Sequence, residues 1–413
     1  MKIASLNFLL CALLSFFSND SKKLQKATEH TFNVAEKQYQ NMLSVAQDLK
    51  KYPRTTAPNG SLRYTDIHDW TGGFWPGSLW YVYEYTKDPK WREAAERWTE
   101  SLEKNQYNDT HHDIGFMMYC SYGNGYRLTG NPKYKDILIQ SAKTLISRFD
   151  PKIGLIKSWN EKMSWDGKTM FKYPVIIDNM INLELLFFAT EQTGDPVYRN
   201  VAIQHADNTL KNHFRPDYSS YHVVNYDAAT GQVLHRETNQ GFSDNSTWAR
   251  GQGWAIYGFT VVYRETKDPK YLEAAKKMAD FYLDHPNLPK DKIPYWDFNV
   301  NQPGFTPRWK YDPNKLSYVP RDASAAAVVS SALVELGQHL GSKGRKYQKG
   351  AQDILTSLAS DDYLAQPGTN NNFLLKHSVG SMPHGVEIDV PLVYADYYFL
   401  EALIRNQKLG KKS

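Results

Sequence analysis

A seven-residue motif recurs along the chain, and its first copy is YTKDPKW at residues 85–91. Further copies are LTGNPKY at 128–134, QTGDPVY at 192–198 and ETKDPKY at 265–271, and a degenerate copy without proline covers 340–347. Asp or Asn is a favoured N-cap, proline suits the first position of a helix, and the aromatic residue follows on the buried face. Each copy therefore predicts that one helix ends and another begins within a few residues, as in a tight helical hairpin.

The segments on the two sides of the motif differ in how much of their surface is apolar. Segments that follow it show the apolar spacing of a helix with one buried face: they are residues 91–102, 134–149, 198–210 and 271–283. Segments that precede it are apolar nearly all round, which indicates buried helices: examples are residues 176–188, 255–263 and 323–336. With an amphipathic segment at 24–49 and a last segment at 390–403, the sequence predicts twelve helices in six pairs.

The spacing of the motif excludes a regular solenoid. Its prolines stand at 89, 132, 196 and 269, so the intervals are 43, 64 and 73 residues, whereas solenoid repeats keep a near-constant period. The growth lies in the returns from outer to inner helices, at residues 106–112, 150–175, 215–247, 285–321 and 360–389. We therefore predict an all-α fold, a six-hairpin (α/α)6 barrel or toroid with six inner and six outer helices. Its long returns and the inner-helix N-termini share one rim, where function is expected.

The composition narrows the classes of function. A net charge of +5, from 49 Lys and Arg against 44 Asp and Glu without a basic block, argues against nucleic acid as a partner. Aromatic residues make up 14%, which is typical either of a cleft that stacks sugar rings or of an aromatic-rich core. Cys11 and Cys120 are the two cysteines, and without a Cys/His ligand cluster we expect no metal site.

The N-terminal residues resemble an export signal. Lys2 supplies a positive charge, residues 6–17 form a short apolar run, and Ser15, Ser18 and Ser21 are small residues suited to cleavage. The run is too short for a permanent membrane span, so we expect no stable membrane insertion once the signal is removed. The predicted organisation is a signal peptide at 1–20 and a single catalytic barrel domain at 21–413, exported to the periplasm.

Asp113 and Asp178 begin two neighbouring inner helices and are the candidates for acid and base catalysis, because glycosidic chemistry uses two carboxyl groups on opposite walls of a cavity. The apolar neighbours of Asp178 disfavour its ionisation, and Asp113 directly follows His111 and His112. The alternative for each aspartate is that it only caps its helix.

Arg250 begins the fourth inner helix, between Trp248 and Trp254. A guanidinium there opposes the helix dipole and needs an anionic partner. The partner is either a structural carboxylate, Asp244 or Asp322, or the carboxylate of a substrate.

Further candidates lie on the same rim. Tryptophans suited to stacking a sugar are Trp70, Trp75, Trp159, Trp165 and Trp254, although part of such a set usually belongs to the core. The loop at 376–385 carries Lys376, Ser378 and Ser381, which offer donors to a carboxylate or a sulfate if the loop is more than a flexible surface segment. His222, in the long return at 215–247, is either a site residue or a solvated one.

Four motifs resemble those of the unsaturated glucuronyl hydrolases, glycoside hydrolase family 88. They are WTGGFWPG at 70–77, HDIGF at 112–116, Ile177-Asp178 with its apolar helix, and WARGQGW at 248–254. The resemblance covers nearly all of the chain after the export signal, and it implies a six-hairpin helical barrel. It also implies removal of a 4,5-unsaturated uronic acid from the non-reducing end of lyase-generated glycosaminoglycan oligosaccharides by hydration of the C4=C5 bond.

The resemblance also implies roles for individual residues and the absence of a cofactor. Asp178 would be the general acid and base, with Asp113 as its partner at the ring hydroxyls. The residues that match positions around the unsaturated sugar are His222, Gln240, Arg250 and Trp254, and Trp70, His112 and Trp159 are further candidates for substrate binding. Lys376, Ser378 and Ser381 would lie beside the cleaved bond, where a sulfate group would sit.

Three alternatives remain open at this point. The related rhamnogalacturonyl hydrolases share the fold and the reaction but act on pectin fragments. An inverting hydrolase of saturated sugars would use the same two carboxylates as acid and base. In a non-catalytic sugar-binding or scaffolding protein, Asp113 and Asp178 would cap helices and do nothing more.

Overall fold

The computed structural model describes residues 3–410 of the chain, and the side chains of residues 22–409. Outer and inner helices alternate within this range, which confirms the predicted (α/α)6 toroid. In chain order they are α1 (Ile3–Val45), α2 (Phe74–Thr86), α3 (Pro89–Glu100), α4 (Ile114–Met118, Tyr119–Gly123 and Asn124–Thr129), α5 (Pro132–Ile146), α6 (Leu183–Thr193), α7 (Pro196–Asn212), α8 (Ala249–Thr266), α9 (Pro269–Asp284), α10 (Ala323–His339), α11 (Arg345–Leu358) and α12 (Val393–Gly410). The even-numbered helices form the inner ring.

The recurring motif forms the same turn at each of its four proline-containing copies. In the first copy, Lys87 adopts a left-handed conformation (φ 61°), and its N–H donates to the carbonyl of Tyr83. The Thr86 hydroxyl accepts a hydrogen bond from the N–H of Asp88 (3.2 Å), whose carboxylate accepts in turn from the N–H of Lys90. The aromatic residue that closes the motif is buried in all four copies: Trp91, Tyr134, Tyr198 and Tyr271. The predicted N-caps are therefore confirmed.

The inner helices close into a ring because α12 packs between α10 and α2. Helix α1 lies outside this closure and packs against α2 and α11. Glycines allow the closest approaches inside the ring. A Cβ atom on Gly73, the N-cap of α2, would lie 2.1 Å from the carbonyl oxygen of Met117 in α4, and one on Gly258 of α8 would lie 2.4 Å from the Cβ of Met180.

The long returns contain short antiparallel strands that the sequence analysis did not predict. They are β1 (Tyr52–Thr56), β2 (Leu62–Thr65), β3 (Phe149–Asp150), β4 (Leu155–Ile156), β5 (Lys162–Met163), β6 (Met170–Phe171), β7 (Pro174–Ile176), β8 (Val223–Tyr226), β9 (Val233–Glu237), β10 (Ser378–Ser381) and β11 (Val386–Val390). Strands β7, β8 and β9 form one three-stranded sheet that joins two different returns, and the other strands pair as two-stranded hairpins. These strands give the rim a fixed shape above the inner-helix N-termini.

Several predicted helix boundaries were wrong, and the two ends of the chain show two of the errors. The first amphipathic segment, expected at 24–49, ends as a helix at Val45, and the N–H of Lys51 then donates to the carbonyl of Asp48 in a turn. The last helix, expected from residue 390, begins at Val393 because Val390 belongs to β11. Pro391 accounts for the second error, since a residue before proline favours the extended conformation.

Helix α4 also departs from a regular α-helix. Its middle segment, Tyr119–Gly123, has π-helical hydrogen bonding, a feature that often lies near functional sites.

The export signal predicted at 1–20 falls outside the part of the chain whose side chains are described. In the described residues, no helix is both long enough and apolar enough to cross a bilayer.

The close approach of α2 and α4 leads to a prediction about stability. We expect Gly73→Ala to lower the free energy of unfolding by about 3 kcal/mol, because the new methyl group meets backbone that cannot move aside without opening the ring. Chemical denaturation monitored by circular dichroism measures this change.

Gly72→Ala is the matched control for this prediction. A Cβ on Gly72 has no neighbour closer than 3.4 Å among the described atoms, so we expect a much smaller change. Equal destabilisation by the two substitutions would contradict the proposed packing constraint.

Candidate active site

A cavity opens among the N-terminal ends of the inner helices, on the rim that carries the long returns. It is small, with a cavity volume of about 80 Å³. Seven of the predicted site residues line it: Trp70, Asp113, Trp159, Asp178, Gln240, Arg250 and Trp254. The chain therefore brings together residues from four returns, and Asp113 and Asp178 face one cavity as predicted.

Asp113 stands directly before helix α4 and is held between two histidines. Nδ1 of His111 lies 3.1 Å from its Oδ2, and Nε2 of His112 lies 3.1 Å from its Oδ1. The amide of Asn182 donates to Nδ1 of His112 (3.1 Å), so the proton of the neutral His112 ring lies on Nε2, facing Asp113. The Asp113 side chain makes no capping hydrogen bond to α4, and the alternative that it only caps this helix is therefore wrong.

The two histidines determine the charge of Asp113. Burial on its own would raise the pKa of Asp113, but His112 and His111 outweigh it and hold that pKa below its usual value. Burial likewise opposes the charged form of His111, yet the Asp113 carboxylate raises the pKa of His111 above its usual value. Asp113 is therefore an ionised carboxylate with a fixed orientation.

Asp178 lies in a 3-10 turn, Ile177–Asn182, that leads into α6. The N-cap position of this turn belongs to Ile176, so Asp178 does not serve as a cap. Burial and the negative charge of Asp113 raise the pKa of Asp178 to about 7, although Arg250 and the indole of Trp254 favour its ionised form. Its Oδ2 has no hydrogen-bond partner among the described residues. Asp178 is thus a carboxyl group that keeps its proton near neutral pH and faces the cavity.

His222 lies behind Asp178 with its Nε2 3.6 Å from Oδ2 of the carboxyl group. Its Nδ1 accepts from the backbone N–H groups of Asn239 and Gln240 (both 3.2 Å), which places the ring proton on Nε2. Burial lowers the pKa of His222 well below its usual value. The ring is therefore neutral at physiological pH and does not add a positive charge that would ionise Asp178.

Arg250 is buried, and its structural partner is Asp322 rather than Asp244. Its Nη1 donates to Oδ2 of Asp322 (2.8 Å) and to the carbonyl of Val379 (2.6 Å), and its Nη2 donates to the carbonyl of Gly380 (2.7 Å). Arg250 lines the cavity, so it presents a positive charge there while two of its hydrogen bonds hold the loop at 379–380.

The aromatic candidates divide between cavity and core. Trp70, Trp159 and Trp254 line the cavity, whereas Trp75 is a core residue with 1% of its surface exposed. Trp165 lies outside the cavity lining, and its ring centroid is 5.0 Å from that of His384.

The three polar residues predicted beside the cleaved bond do not line the cavity. The ammonium of Lys376 donates to the carbonyl of Asp361 (2.7 Å), and the hydroxyl of Ser381 is 2.6 Å from Nδ1 of His384. Ser378 is buried, and its hydroxyl has no partner among the described residues. By contrast, Gln240 reaches the cavity and donates from its side chain to the carbonyl of Gly380 (3.0 Å).

Several lining residues were not predicted as site residues: Phe116, Ile176, Ile181 and Trp248. The Trp248 ring lies between the His222 ring, at 4.4 Å between centroids, and the Arg250 guanidinium, at 4.5 Å. The sequence identified His111 as a neighbour of Asp113 but did not predict it as a site residue. A signal for Trp248 was present in the sequence, because it stands two residues before Arg250.

The described side chains contain no group of three or more His, Cys, Asp and Glu residues arranged to hold a metal ion. The polar groups that line the cavity are carboxyl, amide, indole and guanidinium groups. Such a set suits a ligand that carries both hydroxyl groups and a carboxylate.

The chain is similar in sequence and in fold to several known proteins. The family described as Glycosyl Hydrolase Family 88 matches residues 41–411. The chain is 46% identical to the unsaturated glucuronyl hydrolase of Formosa agariphila over 95% of this chain and 94% of that protein. It resembles a crystal structure of an unsaturated glucuronyl hydrolase specific for heparin, with a TM-score of 0.84, 45% identity, and coverage of 94% and 98%. A mutant unsaturated glucuronyl hydrolase of Streptococcus agalactiae complexed with dGlcA-GalNAc6S gives a TM-score of 0.74, 32% identity, and coverage of 92% and 90%.

The raised pKa of Asp178 leads to a prediction about stability and pH. A folded-state pKa above the unfolded one favours the native state at low pH, and this contribution is lost as pH rises through about 7. Asp178→Asn removes the cost of the buried charge. We therefore expect the variant to gain stability relative to the original protein between pH 5 and pH 8, on the order of 1–3 kcal/mol.

Urea denaturation at the two pH values measures this difference. A stability difference between variant and original protein that stays constant from pH 5 to pH 8 would contradict a titration of Asp178 in that interval.

Proposed function

Because the chain belongs to glycosyl hydrolase family 88, we propose that it is an unsaturated glucuronyl hydrolase. Its substrates are glycosaminoglycan oligosaccharides that a polysaccharide lyase has cleaved, leaving a 4,5-unsaturated uronic acid at the non-reducing end. The observation that carries this proposal is the buried carboxyl group of Asp178, which retains a proton near neutral pH inside an aromatic cavity.

The reaction begins with hydration of the C4=C5 bond. Asp178 donates its proton to C4, and a water molecule adds its oxygen to C5 while the Asp178 carboxylate takes up the proton that the water releases. C5 then carries both a hydroxyl group and the ring oxygen. This hemiketal opens, and the sugar linked at C1 is expelled. The step needs a carboxyl group that is protonated at the start, which the environment of Asp178 supplies.

Asp113 contributes a second, unlike carboxyl group. Its charge and its orientation are fixed by His111 and His112, so it accepts hydrogen bonds from the ring hydroxyls of the sugar. Its negative charge also raises the pKa of Asp178. The residue that positions the substrate therefore also helps the proton donor to stay protonated. The pair thus keeps two carboxyl groups in different protonation states.

The remaining lining residues fit a flat, negatively charged ring. Trp70, Trp159 and Trp254 offer aromatic surface, and Arg250 supplies the positive charge nearest to Asp178 in the pocket. We assign the carboxylate of the unsaturated sugar to the side of the cavity formed by Arg250 and Gln240.

The test is a turnover assay with unsaturated disaccharides prepared by lyases from heparin, chondroitin, hyaluronan and pectin. We expect loss of the ultraviolet absorbance of the conjugated enol ether with at least one glycosaminoglycan disaccharide. Asp178→Asn removes the proton donor while preserving its shape, so we expect a decrease in kcat of about 10²–10⁴-fold.

Asp195→Asn is the matched control, because Asp195 caps α7 in a turn that joins an inner to an outer helix, and Asn caps as well. Unchanged activity in this variant shows that loss of an aspartate elsewhere is harmless. Turnover of the pectin disaccharide alone favours a rhamnogalacturonyl hydrolase, and hydrolysis of saturated sugars alone overturns the proposed hydration.

We further propose that the protein is exported to the periplasm and that residues 21–413 form one catalytic domain after removal of residues 1–20. The support is the sequence itself: a positive charge at Lys2, an apolar run at 6–17, and small residues at its end.

Expression of the full chain in a Gram-negative host tests the export proposal. We expect the purified protein to start near residue 21 by N-terminal sequencing and to appear in the periplasmic fraction. A protein that retains Lys2 and is found only in the cytoplasmic fraction would contradict the export proposal.

A further inference from the structure

A buried ion-pair cluster lies next to the cavity, outside the residues that line it. Its centre is Arg54, whose side chain is only 12% exposed. Nε and Nη2 of Arg54 donate to the two carboxylate oxygens of Glu387, at 2.5 Å and 3.1 Å, and Nη1 donates to Asp69. One guanidinium therefore binds two carboxylates that come from different returns, and it does so with the planar geometry that arginine supplies and lysine does not.

Local backbone features aim these side chains at each other. The pairing of β1 with β2 shifts register between Pro53 and Thr55, so Arg54 is the extra residue of a β-bulge, a device that redirects a side chain. Glu387 adopts a left-handed conformation with φ at 56°, which is costly for a residue other than glycine. Its side chain is 3% exposed. Such a conformation persists where the surrounding contacts hold it.

One side of the cluster holds Trp70. Asp69 binds Arg54 through Oδ2, and its Oδ1 accepts from the N–H (2.9 Å) and the hydroxyl (2.5 Å) of Thr71. Trp70 is thus fixed between two residues of one hydrogen-bonded turn. The Arg54 guanidinium also lies 5.8 Å from the centre of the Trp70 ring, within the range of a cation–π contact.

The other side of the cluster holds the loop that receives Arg250 and Gln240. The Glu387 side chain packs against Gly380 so closely that a Cβ on Gly380 would lie 2.3 Å from its Oε2. The carbonyl of Gly380 accepts from both Arg250 (2.7 Å) and Gln240 (3.0 Å), and both of these residues line the cavity. A shift of Glu387 therefore displaces the shared acceptor of two lining residues.

We propose that Arg54 is a positioning residue for the substrate, because it locks Trp70 and the Gly380 carbonyl in place through Asp69 and Glu387. This inference rests on the proposed function, since it concerns the same cavity and the same sugar. Arg54 does not line the cavity and takes no part in proton transfer. Its loss should therefore weaken binding of the unsaturated sugar and leave the chemistry of Asp178 intact.

The decisive variant is Arg54→Gln, which removes the charge and the planar fork and leaves Glu387 with the more distant Arg63, at 3.6 Å, as its ion-pair partner. On the unsaturated disaccharide that the original protein turns over, we expect KM to rise about ten- to hundredfold, while kcat changes less than about threefold. Calorimetric titration of the same disaccharide, with each protein carrying Asp178→Asn, should give a matching rise in Kd.

Arg54→Lys provides a second, milder variant that keeps the charge but not the two parallel hydrogen bonds. We expect its KM to lie between those of the original protein and Arg54→Gln. If Arg54→Gln does not fold, Arg54→Lys alone decides: a raised KM supports the proposal, and an unchanged KM overturns it.

Arg127→Gln is the matched control. Arg127 also binds one glutamate through two nitrogens, Glu84 at 2.9 Å and 2.5 Å, but it does so at the end of the ring that carries the short turns. We expect a lower melting temperature and an unchanged KM in this variant.

Three outcomes separate the two proposals. An unchanged KM in Arg54→Gln, whatever its melting temperature, overturns the role of Arg54 and leaves the proposed function standing. An equal rise in KM in Arg127→Gln would also overturn that role, because the effect would then follow from lost stability alone. Absence of turnover by the original protein on every unsaturated disaccharide overturns the proposed function and this inference with it.

Discussion

Two carboxyl groups share one small cavity, and a site shielded from water accommodates two negative charges side by side only at a high cost in free energy. The two carboxyl groups avoid this cost because their surroundings differ. Asp113 receives two histidines, so it keeps its charge, and Asp178 receives a neutral histidine and burial, so it keeps its proton. The difference arises at the starts of two inner helices, α4 and α6, that must lie next to each other. The ring of helices, with its glycine contacts, therefore underlies the chemistry, because it fixes the separation of the two groups.

The ring was predictable because its determinants are local. An Asp or Asn before a proline marks a helix start wherever it occurs, and the buried aromatic residue follows from helical spacing, so residues 88–91 predict their own turn. Asp178 was predictable for the same reason, since its apolar neighbours are adjacent in sequence. The threonine of each turn was missed, although Thr86 and its equivalents make the same hydrogen bond each time.

The parts of the site that sequence reasoning left open depend on distant residues. Arg250 had two candidate partners, and the choice of Asp322, 72 positions away, depends on how two returns meet. The pairing of β7 with β8 joins segments about 50 positions apart, and no local sequence pattern predicts this pairing. Arg54 is the clearest case, because Glu387 lies 333 positions from it and only the closed ring brings the two together. Residues 376, 378 and 381 illustrate the reverse problem, because a plausible set of donors in the sequence does not line the cavity.

The two rims of the ring differ in how they tolerate change over evolutionary time. In four turns on one rim, a threonine, a left-handed residue, an N-cap and a proline occur in fixed order, so an inserted residue would break the turn and separate a pair of helices. On the other rim, the returns range from a few residues to more than thirty and carry their own hairpins. Insertions and deletions are therefore tolerated almost entirely on the face that meets the sugar. A scaffold built in this way can acquire new substrate preferences without endangering its own folding.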